Sequence, residues 1–280
     1  MPYSYHTLTA ALASAGIEEA RGEALLLLER FAHATPAALM TDRHRVYDSP
    51  ELDAAVERRL TRYPLQYILG EWEFCGLTFT VNEHCLIPRP DTEVLVEEAI
   101  RTLPEGARVA DLCTGSGCIA VSVLCHRPDI TVHALELYPE TLSVATRNAE
   151  KNGVAPRFTP ICADLLGEGV DVLRQVSPLD AILSNPPYIP TAVVDSLSPE
   201  VHTEPPAALD GGADGLAFYR AILRDYAPMV KPGGLIILEI GYDQGEALTA
   251  LQQAYIPQGS ISILRDLGGN NRVAIIRIPE

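Results

Sequence analysis

Cationic side chains are scarce in this 280-residue chain: 21 Lys and Arg face 37 Asp and Glu, for a net charge of −16. That balance argues against a partner whose phosphate backbone is gripped over a broad surface, so direct nucleic-acid binding is not expected. No run approaches the roughly 20 apolar residues that a membrane span needs. The opening Met1-Pro2-Tyr3-Ser4-Tyr5-His6 lacks a basic segment followed by an apolar one, so a cytoplasmic protein with no membrane partner is expected. The six cysteines, Cys75, Cys85, Cys113, Cys118, Cys125 and Cys162, form no CxxC pair, and several lie in apolar runs where thiols act as small hydrophobes. The seven histidines are scattered without metal-ligand spacing, and no metal is expected. What is present is apolar residues, 47% of the chain, which is enough for a sizeable core and reads as two domains.

The N-terminal part has helical periodicity. Leu8, Leu12 and Ala15 precede Gly16, Ala20, Ala24, Leu27, Leu28 and Phe31 continue the stripe, and Ser49-Pro50-Glu51 reads as a cap with proline in the first turn of a helix through Val56 and Leu60. The period then changes. Trp72, Phe74, Leu77, Phe79 and Val81 around Gly76 predict a β-hairpin. The expected division is a helical domain over 1–70, a hairpin and hinge over 71–90, and a larger domain over 91–280. In that larger domain, short apolar runs at 108–112, 131–136, 157–162, 179–184 and 235–240 alternate with helical segments at 118–125, 139–151, 216–226 and 244–254. Such alternation predicts an α/β fold with a parallel, doubly wound sheet. Runs at 260–265 and 272–278, flanking Gly268-Gly269-Asn270-Asn271, predict an antiparallel hairpin at the sheet edge.

Ligands of open α/β sheets bind beyond the carboxyl ends of the strands, so the loop after each strand carries the chemical information. The first strand leads into Asp111-Leu112-Cys113-Thr114-Gly115-Ser116-Gly117, where glycine allows close approach to the backbone. The second ends at Glu136, 21 residues beyond Gly115, where a carboxylate can accept from a ribose diol. The third is followed by Asp164-Leu165, an adenine contact, and the fourth by Asn185-Pro186-Pro187-Tyr188. Prolines stiffen that last turn. Its side-chain amide, loop carbonyl and aromatic face suit a planar NH2 group. Each position alone has a plain structural reading: a strand-ending turn, a solvated strand end, a turn cap or a buried turn former. Gly115 to Ala120 also fits the dinucleotide pattern. The four loops share one sheet edge, and that register favours a binding site.

At these residues the chain resembles the class I S-adenosylmethionine-dependent methyltransferases and, within them, the PrmC/HemK protein-glutamine N5-methyltransferases that modify peptide chain release factors. The likeness spans nearly the whole chain. Beyond the glycine loop and the Asn-Pro-Pro-Tyr turn it includes 64–70 with Glu73-Phe74, 86–93, Glu204-Pro205, 208–212, 214–216, 232–234, 238–241 and Gln244. The resemblance implies a Rossmann-like sheet behind a small N-terminal helical domain, with S-adenosyl-L-methionine as cofactor and S-adenosyl-L-homocysteine as product. It implies a release factor as protein partner, a cytoplasmic location and a monomer. By the same resemblance Asp111, Thr114, Gly115, Ser116 and Gly117 form the cofactor loop, Glu136 binds the ribose, and Asp164 and Leu165 border the adenine. Asn185, Pro186, Pro187 and Tyr188, with Arg89, would hold the substrate glutamine. Asn185, Pro186 and Tyr188 are the implied catalytic set, and Asn185 also borders the cofactor. Cys113 stands where glycine is usual, Glu136 where aspartate is common, and Leu165 where some relatives carry an aromatic.

Three other functions share these motifs. An amino-methyltransferase on adenine or cytosine of nucleic acid would present the same planar donor pair to the turn, with Tyr188 stacking on a flipped base. The net charge of −16 counts against it. A NAD-dependent dehydrogenase leaves the Asn-Pro-Pro-Tyr turn without a task, and a non-catalytic S-adenosylmethionine-binding scaffold needs neither Asn185 nor Tyr188.

Overall fold

The computed structural model describes residues 2–280. The chain divides into two units, Met1–Glu71 with Ser198–Thr203, and Trp72–Leu197 with Glu204–Glu280.

In the first unit the two-residue strands β1 (Tyr3–Ser4) and β2 (Val46–Tyr47) pair antiparallel, a feature too short to leave a periodic signal. The helices are α1 (Tyr5–Ser14), α2 (Ala20–Ala32), α3 (Pro36–Thr41), α4 (Pro50–Leu60) and α5 (Leu65–Leu69). Side-chain caps fix three of their starts. Ser4 accepts from the Thr7 amide at 3.1 Å, Thr35 from Ala38 at 3.2 Å, and Ser49 from Leu52 at 3.3 Å with Pro50 next in the chain as expected. Leu8, Leu12, Ala24, Leu27, Leu28, Leu52 and Val56 are fully buried between the helices. One charge is buried with them: Arg59, 4% exposed, donates to both Glu23 oxygens at 2.5 and 3.0 Å and to Glu200 at 3.1 Å. Arg62 adds two bonds to Glu200, at 2.5 and 2.8 Å. These bonds explain why Ser198–Thr203 belongs to this unit although it is far away in sequence.

The hairpin β3 (Glu71–Phe74) and β4 (Leu77–Thr80) turns through Cys75-Gly76, and Phe74 and Phe79 meet edge-on with ring centroids 6.0 Å apart. The large sheet of the second unit contains β5 (Arg108–Leu112), β6 (Thr131–Glu136), β7 (Phe158–Cys162), β8 (Leu179–Ser184), β9 (Val230–Glu239), β10 (Ser260–Arg265) and β11 (Asn271–Arg277). Its order is β10-β11-β9-β8-β5-β6-β7. All pairs from β9 to β7 are parallel, whereas β11 joins β9 antiparallel and β10 closes the edge as the expected hairpin. The order reverses between β5 and β8, which is where a doubly wound sheet opens its ligand crevice.

The central strands are mostly apolar because both sheet faces are covered. Val109, Ala181, Leu183 and Ile237 point to one side, against α6 (Glu93–Thr102), α7 (Cys118–His126) and α8 (Pro139–Lys151). Ala110, Leu112, Ile182, Ile236 and Leu238 point to the other, where Leu173 of α9 (Gly169–Arg174) packs with Tyr219 and Leu248. After the short α10 (Thr191–Val194) come α11 (Ala217–Ala221), which carries Tyr219, and α12 (Gly245–Tyr255), which carries Leu248. Two segments depart from expectation. The fifth parallel strand begins at Val230 rather than Leu235, because Pro232-Gly233-Gly234 is absorbed at a register shift instead of ending the strand. The helix expected over 216–226 is α-helical only to Ala221 and continues as a π turn over Ile222–Tyr226.

Candidate active site

At the carboxyl ends of β5, β6, β7 and β8 a cavity of about 340 Å³ opens, within the range typical of small-molecule sites. Thr114, Gly115, Ser116, Glu136, Asp164 and Leu165 line it together with Arg89, Asn185 and Pro187. Four of the expected positions are not among the residues that line it: Asp111, Gly117, Pro186 and Tyr188.

The glycine loop is shaped from beneath. Cys113 has φ 57°, a left-handed conformation, which accounts physically for glycine being usual at this position. Gly115 is left-handed too, and a Cβ there would have only the Cys113 carbonyl within 4.0 Å, so its side is open. Gly117 serves packing instead: a Cβ would lie 3.1 Å from that of Ala145 on α8. Asp111 is fully buried and accepts from the Thr114 hydroxyl at 2.5 Å. Burial pushes its carboxyl up to about 7, against the pull of the Thr114 hydrogen bond, and the nearby Glu136 charge adds to the rise. Asn148, on α8 and 0% exposed, donates to the Ser116 carbonyl at 2.9 Å and exchanges two hydrogen bonds with Thr80, at 2.7 and 3.0 Å. Nothing in the sequence marks that asparagine beyond a polar residue in an amphipathic helix.

Glu136 is 9% exposed and already engaged by backbone amides: Gly115 donates to Oε2 at 3.0 Å, and Leu137 and Tyr138 donate to Oε1 at 2.9 and 3.3 Å. Burial raises its pKa and these amides pull it back down. One carboxylate thus ties the glycine loop to the end of β6. Asp164 accepts from the Leu166 amide at 2.8 Å, a local turn bond, and the Leu165 carbonyl accepts from the Tyr226 hydroxyl at 2.8 Å.

The Asn-Pro-Pro-Tyr turn is braced from three directions. The segment behind it runs alongside, with Ile189 donating to Leu209 at 2.9 Å and Gly211 to Ile189 at 2.8 Å. Gln244 donates to the Tyr188 carbonyl at 2.9 Å while its own Oε1 accepts from the Gly241 amide at 2.9 Å. Asn185 Nδ2 donates to Thr92 Oγ1 at 3.3 Å, Thr92 donates to Glu239 Oε2 at 2.5 Å, and the Tyr188 hydroxyl lies 3.4 Å from Glu239 Oε1. Among the described residues no donor reaches Asn185 Oδ1 or the Pro186 carbonyl. Arg89 is ion-paired to Glu204, a 2% exposed carboxylate that also accepts from the Ile87 amide at 3.0 Å. The stretch 86–92 is thereby fixed as one wall of the cavity.

Thr114, Gly115, Ser116 and Glu136 therefore line one cavity together with Asn185 and Pro187. Residues 5–70 match the PrmC N-terminal domain family, and residues 90–210 match the methyltransferase small domain family. A release factor glutamine methyltransferase of Moorella thermoacetica is 41% identical over 266 residues, spanning 93% of this chain and 92% of its own. One of Geobacter sulfurreducens is 44% identical over 252 residues, with 86% and 84% covered. A methyltransferase structure from Pyrococcus furiosus shares the fold, with a TM-score of 0.51 at 19% identity over 72% of this chain and 88% of that one. Among the described residues no helix is long and apolar enough to cross a membrane. The chain belongs to the release factor glutamine methyltransferase family.

Proposed function

We propose that this chain transfers a methyl group from S-adenosyl-L-methionine to the side-chain amide nitrogen, N5, of the glutamine in the Gly-Gly-Gln motif of peptide chain release factors. The observation that carries the reading is the placement of Asn185 on the wall of the same cavity as Gly115 and Glu136, with its Oδ1 free of any donor among the described residues.

The residues suit the cofactor. Ser116 Oγ is buried without a partner, and the Cβ side of Gly115 is open. Thr114, Gly115, Ser116 and Gly117, over Asp111, would hold the amino-acid part, Glu136 the ribose hydroxyls, and Asp164 with Leu165 the adenine. Bound S-adenosylmethionine supplies a methyl group on a positively charged sulfur and leaves as S-adenosylhomocysteine.

The amide nitrogen of glutamine is a weak nucleophile because its lone pair is delocalised. Asn185 Oδ1 and the Pro186 carbonyl would accept hydrogen bonds from its two hydrogens, hold the NH2 group in line with the methyl, and favour a more tetrahedral nitrogen, which loses one proton during or after transfer, while Pro187, Tyr188 and Arg89 shape the slot. Positioning would then supply most of the rate. The helical region 1–70 would recognise the protein substrate, and 71–90 would serve as hairpin and hinge. On this reading the reaction takes place in the cytoplasm, where release factors act, and a monomer carries every group named.

The test is incubation with radiolabelled S-adenosylmethionine and either purified release factor or undermethylated DNA, then mass spectrometry of the Gly-Gly-Gln peptide. One added methyl on that glutamine, with DNA unlabelled, is the expected result. Label on DNA alone would replace this reading with the base-modifying one.

A further inference from the structure

Glu239 ends β9, 2% exposed, and its two oxygens serve different ends of the Asn-Pro-Pro-Tyr turn: Oε2 accepts from Thr92 at 2.5 Å, and Oε1 faces the Tyr188 hydroxyl at 3.4 Å. Its backbone carbonyl accepts from the Tyr219 hydroxyl at 2.8 Å, which holds the strand end in place. Thr92, 1% exposed, is the link to Asn185. A hydroxyl owns a single hydrogen, and a carboxylate can only accept. With Glu239 ionised, the Thr92 hydrogen is committed to Oε2, so Thr92 meets Asn185 purely as an acceptor. Only the NH2 edge of the Asn185 amide fits an acceptor. Its carbonyl edge must then point the other way.

We propose that Glu239, acting through Thr92, is a positioning residue that sets which edge of the Asn185 amide is presented, so that Oδ1 rather than Nδ2 meets the substrate NH2 group. The inference rests on the methyl-transfer reading and deepens it. Glu239 is not among the residues lining the cavity, and Thr92, which is, acts in this scheme through its bonds to Asn185 and Glu239. Their work is to remove the 180° ambiguity of an amide whose two edges have nearly the same shape and opposite hydrogen-bonding character.

The relay has a defined reverse. If Glu239 takes up a proton, its acid hydrogen can be donated to Thr92, the Thr92 hydrogen becomes available to Asn185 Oδ1, and the amide turns over. An NH2 edge then faces an NH2 group, and neither accepts. The groups around Glu239 put this exchange within reach: burial raises its pKa to about 7, the Thr92 bond and Arg272 pull it down, and Asp91 pushes it up. Arg272 divides its own charge between Asp91 and Asp266, at 3.1 Å each.

The test compares Thr92→Val, which keeps shape and loses the hydroxyl, with Thr92→Ser, which keeps the hydroxyl, and with Thr92→Ala as a second deletion should the valine not fold. Steady-state methylation of a release factor is measured across pH. Thr92→Ser is expected to stay within about 3-fold of wild type, and the deletions to lose about 10²-fold in kcat, with KM for the release factor and Kd for S-adenosylhomocysteine within about 2-fold. Wild-type kcat should fall on the acid side of about pH 7, and this limb should vanish in the deletions. Deletions that keep the wild-type rate, or that keep the acid limb, overturn the relay. A wild-type chain that binds S-adenosylhomocysteine yet leaves the glutamine unmethylated overturns instead the activity on which it rests.

Discussion

Gly215 lies so close to Tyr188 that a Cβ on the glycine would sit 2.3 Å from the tyrosine carbonyl oxygen, and its φ of 72° is itself a glycine conformation. The same carbonyl receives Gln244 Nε2 at 2.9 Å. Gly215→Ala should therefore push the Asn-Pro-Pro-Tyr turn out of position, lower kcat by 10-fold or more as an order-of-magnitude loss, and cost about 1–3 kcal/mol of stability. Steady-state kinetics and urea unfolding check both. An alanine variant that matches wild type in both would mean that the turn has slack the geometry denies it.

Asn185→Ala removes one acceptor for the substrate NH2 group. A loss of about 10²- to 10³-fold in kcat is expected, comparable to removing one oriented hydrogen-bonding group from a transition state, with S-adenosylhomocysteine affinity changed by only a few-fold. Calorimetry alongside single-turnover methylation separates the two quantities. Near-wild-type turnover would remove Asn185 from the reaction.

Asp111 supplies a pH signature of stability. Burial raises its carboxyl to about 7 from an ordinary 3.8. Between those values the folded chain keeps a proton that the unfolded chain has released, so this group's contribution is present at acid pH and is lost as pH rises through about 7. Asp111→Asn, neutral at every pH, should gain on wild type across that window by up to about 4 kcal/mol, at about 1.4 kcal/mol per pH unit. Urea midpoints at mildly acid and mildly alkaline pH measure the difference. A constant gap between the two proteins would show that Asp111 ionises normally.

Cys113 carries a left-handed backbone, with φ 57°. Replacing it by alanine keeps the Cβ and its conformational cost, whereas glycine removes both. Cys113→Gly is expected to be more stable than Cys113→Ala by about 1 kcal/mol, a reversal of the usual order of these residues. Thermal melts of the pair suffice, and the opposite order would count against the left-handed assignment. Burial holds this thiol's pKa well above its usual value, so neither substitution removes a thiolate at neutral pH.

The strands could be read because they are buried on both faces and so form mostly apolar runs between turn residues; β5, β6 and β8 begin and end where the sequence predicts. The residues at their carboxyl ends came from sheet topology together with loop chemistry and the family resemblance. Less visible was anything that depends on one side chain meeting another across a long separation. Thr92 and Glu239 lie 147 positions apart and look like an ordinary helix start and strand end, yet they stand behind Asn185 as one hydrogen-bonded unit. Gly211, Gly215 and Gln244 drew notice only through family resemblance, whereas the structure gives each a steric or hydrogen-bonding reason. The register shift around Gly234 was hidden because proline and glycine punctuate a sequence in the same way whether a strand ends or merely bulges, and the π turn over Ile222–Tyr226 contains neither residue to mark it.

The six residues Ser198–Thr203 that complete the helical unit have an evolutionary corollary. Glu200 supplies carboxylate to both Arg59 and Arg62, and Arg59 is nearly inaccessible to water. A gene fragment ending after the hairpin's first strand would therefore encode the helices but leave Arg62 without its carboxylate and Arg59 with Glu23 alone. A recombination that keeps this charge network intact carries over, with the helical portion, a short stretch encoded more than a hundred codons downstream.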